Sequence, residues 1–134
     1  MAVMTERTQG QSEVDRFLLD SIKSVPHLEA LLLVWSARPQ AWTVEELARR
    51  LYLEPNVVRG ILDDLVETHL LAAAPGPPPR YCYRSESEER DRLVQAVQET
   101  YKRELVRISN LIHSKPSAAM RAFARAFQFT KKRE

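Results

Sequence analysis

The sequence predicts a mainly α-helical chain with one small β-hairpin wing: a winged helix-turn-helix, then a long C-terminal helix and a short terminal amphipathic helix. Three observations predict it. Two helix starts lie close together in TVEELARRLYLEPNVVRGILDDLVETHLL, residues 43–71. A proline cluster at residues 75–79 then separates two short segments of strand character. Beyond it, an apolar stripe spaced mainly by four residues runs from Leu93 to Ile112.

Residues 1–11 are polar and are expected to be a disordered N-terminus. Ser12 with Asp15 can cap a first helix, in which Val14, Phe17, Leu18 and Ile22 share a face. Ser24 with Pro26 opens a second helix that runs to about Ala37. Leu28, Leu31, Leu32 and Trp35 face inward on it, and Leu33 and Val34 make it apolar almost all round. Such a helix is central in its fold or is covered by a partner. Arg38-Pro39-Gln40 ends it. Trp42 reads either as a hydrophobic staple for the next helix or as a short strand of the wing sheet.

Thr43 and Glu46 form a T-x-x-E capping box, in which each side chain satisfies a free backbone N–H of the first turn. Leu47, Ala48 and Leu51 then place apolar residues one turn apart. The helix fails around Tyr52–Glu54. Pro55 suits the first turn of the next helix, where its missing N–H would have had no partner. Val57, Val58, Ile61, Leu62, Leu65 and Val66 give helix 55–67 a wide apolar stripe. Two helices joined by so short a turn make a helix-turn-helix. Leu70–Ala74 is a short apolar strand, residues 75–79 form a stiff tip because proline lacks a donor and fixes φ, and Arg80–Arg84 alternates as a half-buried strand does. Residues 12–84 are therefore expected to be one winged helix-turn-helix domain.

Ser85 or Ser87 caps a long helix over 85–114. Leu93, Val97, Tyr101, Leu105, Ile108 and Ile112 lie mainly four apart. At roughly 40 Å, this helix is longer than so small a core covers, so the chain is expected to form a homodimer through it. Pro116 breaks it. Residues 115–134 then make an amphipathic helix and a basic tail, with Met120, Phe123 and Phe127 on one face and Arg121 and Arg125 opposite. The apolar face is expected to dock on its own protein; a protein partner or a membrane surface is the alternative.

Composition narrows the function. A chain of 134 residues, 44% of them hydrophobic, can bury one core. The net charge of +2 does not by itself argue for nucleic acid. Residues 1–67 carry seven Lys/Arg against eleven Asp/Glu, and residues 68–134 carry thirteen against seven. The single cysteine, Cys82, excludes an internal disulfide; it reads as a small strand residue in a reducing compartment, and a redox-sensing thiol beside Arg80 and Arg84 is the sharper alternative. No signal peptide is visible, and the most hydrophobic run, Leu28–Trp35, is too short for an integral membrane segment. A cytoplasmic protein is expected. His27, His69 and His113 are scattered, without Cys or carboxylate at metal-ligand spacing. Three glycines cannot build a phosphate-cradling loop. No metal, cofactor or enzymatic activity is expected.

ELARRLYLEPNVVRGILDDLVETHLL resembles the winged helix-turn-helix of bacterial transcription regulators. Their frame is commonly E-L-A-x-x-L-x-hydrophobic, a polar residue and Pro, then V-x-x-x-L-x-x-L-x-x-x-G-L. With the helix before it and the strands after it, the match covers about half the chain. The resemblance implies a DNA-binding regulator that places helix 55–67 in the major groove of double-stranded DNA. Asn56 and Arg59 are then the base readers, for adenine and guanine respectively, and Arg80 and Arg84 lie near phosphate. The sequence departs from the pattern in two ways. Asp63, Asp64 and Glu67 would repel phosphate if they came near it. His69 stands where the family usually has Gly, so it must adopt a left-handed conformation or end the helix differently. The alternative is a winged-helix protein-interaction module without DNA binding.

Overall fold

The computed structural model describes the backbone of residues 2–115 and the side chains of residues 12–115. Six helices and one hairpin follow in order: α1 Ala2–Ser21, α2 Val25–Ser36, α3 Val44–Leu51, α4 Pro55–Glu67, β1 Leu71–Ala74, β2 Arg80–Tyr83, α5 Glu88–Arg103 and α6 Leu105–His113. The amphipathic helix expected from residue 117 onward lies outside the described residues.

Helix α2 is the centre. Ser24 caps it, its Oγ accepting from the His27 backbone N–H at 3.3 Å. Leu28, Ala30, Leu31 and Val34 are wholly buried, which fits the nearly all-round apolar sequence. Each fully buried leucine contributes about 1.5–3 kcal/mol relative to an exposed one. α2 packs on α3, α4, α6 and β2.

The wing is an antiparallel pair in the register Leu71↔Tyr83 to Ala74↔Arg80. Trp42 joins it. Its backbone N–H donates to Tyr81 O at 2.8 Å and its carbonyl accepts from Tyr81 N–H at 2.7 Å. Trp42 thus pairs with the wing through a single-residue bridge and is not a third strand. Tyr83 fixes the wing root, its ring meeting Trp35 edge-on with centroids 4.8 Å apart and its hydroxyl donating to Asp91 Oδ1 on α5 at 2.7 Å. Burial and that bond push the Tyr83 phenol above its ordinary pKa.

Residues 2–11 run as the first half of α1. No proline interrupts the chain before Pro26, and the one glycine there, Gly10, costs a helix only about 1 kcal/mol. The long helix expected over 85–114 is two helices, broken at Glu104, where φ is −128° and ψ is 47°. Arg107 ties the break down, bonding Glu104 Oε1 at 2.6 Å through Nε and Asp15 of α1 at 3.1 Å and 3.2 Å through Nη1. The turn lets α6 lie against α1, α2 and α5, with Ile108 and Ile112 buried.

Candidate nucleic-acid interface

The helix-turn-helix is built by its caps. Thr43 Oγ1 accepts from Glu46 N–H at 3.2 Å and Glu46 Oε1 accepts from Thr43 N–H at 2.8 Å, so the capping box is closed. The Thr43 backbone N–H, and its hydroxyl at 3.1 Å, both donate to Glu46 Oε1 and hold that carboxyl below its ordinary pKa. At the far end of α3, Tyr52 takes a left-handed conformation with φ 58°, and Leu53 N–H donates back to Ala48 O at 3.1 Å. Pro55 then opens α4, and no side chain caps that helix.

On α4 the buried residues are Val58, Ile61, Leu62 and Leu65. Asn56, Val57, Arg59, Gly60, Asp63 and Glu67 are exposed. Asn56 and Arg59, three residues apart, therefore stand on neighbouring outward positions of one helix. Asp64 does not join them. It turns toward the start of α2, where it accepts from Lys23 Nζ at 3.1 Å and pairs with His27 Nε2 at 2.8 Å. Burial alone would raise its carboxyl; the bonds from His27 and Lys23 outweigh burial and hold it below the ordinary value.

Helix α4 ends at His69, whose φ is 64°. His69 N–H donates to Val66 O and Leu70 N–H to Leu65 O, both at 3.0 Å. This is the paired closure a glycine usually makes, with histidine in the left-handed position.

The two wing arginines are at opposite ends of β2. Arg80 pairs with Ala74 beside the tip, half-exposed, with Nη1 3.6 Å from Glu46 Oε1. Arg84 follows the strand at the root, where its N–H donates to Leu70 O at 3.0 Å and its Nη1 lies 3.2 Å from His69 Nδ1. The fold thus brings Asn56 and Arg59 together, sets Arg80 beside the start of α3, and leaves Arg84 at the C-terminal end of α4. Cys82 is half-buried opposite Ala72.

One exposed side chain escapes the sequence reading of the interface: Tyr52 is 93% exposed. Val57, counted in the apolar stripe, is 49% exposed beside buried Val58. Among the described residues, no three His, Cys, Asp or Glu side chains gather as metal ligands, and no helix is long and apolar enough to cross a membrane.

No protein-family model matches this sequence, and no curated protein matches it. Solved structures do match over nearly the whole chain. MepR, a transcription regulator of the Staphylococcus aureus multidrug efflux pump MepA, is 12% identical, with 97% of this chain and 93% of MepR covered and a TM-score of 0.53. Sco5413, a MarR-family transcriptional regulator from Streptomyces coelicolor, is 19% identical, with 98% and 91% covered and a TM-score of 0.53. A mutant S. aureus MepR bound to an oligodeoxyribonucleotide is 12% identical, with 97% and 92% covered and a TM-score of 0.54. The helix-turn-helix, the hairpin and the helices on either side of them make this chain a winged helix with the fold of MarR-family transcription regulators.

Proposed function

We propose that this protein is a DNA-binding transcription regulator, not an enzyme, that works as a homodimer in the cytoplasm. The observation that carries the reading is the outer face of α4. Its N-terminal half presents Asn56 and Arg59 to solvent, while the carboxylate nearest the core, Asp64, is paired with Lys23 and hydrogen-bonded to His27. A helix that offers an amide and a guanidinium at neighbouring positions can read adenine and guanine edges in the major groove. Arg80, half-exposed beside the wing tip, supports a phosphate contact in this reading. Arg84 at the wing root is the weakest member of the set, because His69 and not the tip is its neighbour. MepR, which shares this fold, has been solved on an oligodeoxyribonucleotide.

The dimer reading rests on Leu105 and Val106 of α6, which are 53% and 69% exposed. A second reading, a protein-interaction module, draws on the exposed carboxylates Glu54, Asp63 and Glu67 around α4. Titration with a genomic fragment library at low and physiological salt separates the two. An enriched sequence that survives physiological salt supports the regulator. Weak binding with no enriched sequence rejects it in favour of the interaction module.

A further inference from the structure

Two residues of the helix-turn-helix weaken the free chain with no side-chain packing in return. Tyr52 ends α3 in the left-handed region, which disfavours every residue with a Cβ, and its side chain stands almost wholly in solvent. Gly60 lies inside α4, where glycine is the poorest helix former apart from proline. A Cβ built there meets nothing within 4 Å, so nothing in the chain itself requires glycine at this position. Val57, three residues before Gly60, adds a half-exposed apolar side chain. Helix geometry puts Val57 and Gly60 side by side, next to Asn56 on the side away from Arg59. Arg49 and Arg50, both exposed, end α3 just before Tyr52.

We propose that Val57 and Gly60 form a shallow apolar seat for the 5-methyl edge of a thymine in the major groove, with Tyr52 against the adjoining sugar–phosphate backbone. This rests on the DNA-binding reading above. Glycine lets the backbone of α4 come close to the base pair, and valine supplies the surface that a thymine methyl prefers. Arg49 and Arg50 give the turn the charge that a phosphate complements. The seat adds a thymine to a site in which Asn56 and Arg59 address adenine and guanine.

The test uses the full chain and the fragment that the wild type enriches. Gly60→Ala is expected to raise the melting temperature and yet weaken binding about tenfold, because the added methyl closes the seat. Tyr52→Gly is expected to do the same in both respects. Replacing thymine by uracil, one position at a time, is expected to cost the wild type about fourfold at one position, the equivalent of one buried methyl group. Val57→Ala should abolish that difference. Wild-type affinity in Gly60→Ala, or indifference to uracil at every position, overturns the seat and leaves the regulator standing. Failure of the wild type to bind DNA overturns both.

Discussion

His27 on α2 and Asp64 on α4 are joined by a hydrogen bond of 2.8 Å between Nε2 and Oδ2. The other ring nitrogen lies 2.6 Å from Ser24 Oγ. With the carboxylate accepting, Nε2 is the donor of that bond. Lys23 holds the second carboxylate oxygen. This cluster fixes α4 against the start of α2 and ties up one of the carboxylates of α4.

Replacing Asp64 by Asn should therefore cost stability. Lys23 is well exposed and Asp64 partly so, so screening limits the loss to about 1 kcal/mol at pH 7. Because the folded carboxyl lies below its ordinary value of 3.8, its contribution is full above that value and is lost as pH falls through the lower folded one. Urea unfolding at pH 7 and at pH 3 should show a difference between variant and wild type that shrinks in acid. An equal difference at both would mean that the charge is not what matters. Asp63→Asn, on the exposed side, should leave stability unchanged and tighten non-specific DNA binding.

Much of the fold is legible in the chain because its signals are local. Thr43 and Glu46 need only each other to make a capping box, and the five residues from Pro75 to Pro79 cannot continue a strand. The break at Glu104 has no such signal, being neither proline nor glycine. Its fixing contact, Arg107 with Asp15, spans 92 residues. Asp63 and Asp64 are adjacent in sequence yet about 100° apart around a helix, and only the packing of α2 decides which one is tied. For the candidate site, Asn56 and Arg59 come from the resemblance to winged helix-turn-helix regulators, and both are exposed on α4. Tyr52 is not legible in the sequence, because its left-handed conformation departs from the ordinary preference for glycine at a helix end.

The dimer expectation must be restated residue by residue. Ile112 was part of the apolar stripe read from sequence, but it is 3% exposed and packed in the core, so Ile112→Glu should unfold the chain. Leu105 and Val106 are the exposed pair. Changing both to Glu should yield a monomer that keeps its helical circular dichroism. Light scattering at micromolar concentration reads the mass. A wild type that is monomeric throughout, with no concentration dependence, would exclude this interface.

Arg59 and Arg80 should fail in different ways. Arg59 stands on the outward face of α4 with Asn56, where a guanidinium can reach a guanine edge. Arg59→Ala should relax sequence preference at one position and cost roughly 1–3 kcal/mol there. Arg80 sits beside the wing tip, 3.6 Å from a Glu46 oxygen and half-exposed. So exposed a pair is worth little, and phosphate can draw the guanidinium away from it. Arg80→Ala should weaken binding to all sequences alike and flatten the salt dependence by about one counterion. The distinction follows from what each contact reports, since a base edge carries sequence and a phosphate does not. Glu46→Gln gives the internal control. It retains the Thr43 cap, frees Arg80, and should strengthen binding at low salt without changing sequence preference. The measurement is a set of affinities for the enriched fragment and its single-base variants at two salt concentrations. A uniform loss for Arg59→Ala, or a position-specific loss for Arg80→Ala, would reverse the assigned roles and move the base-reading surface from α4 to the wing.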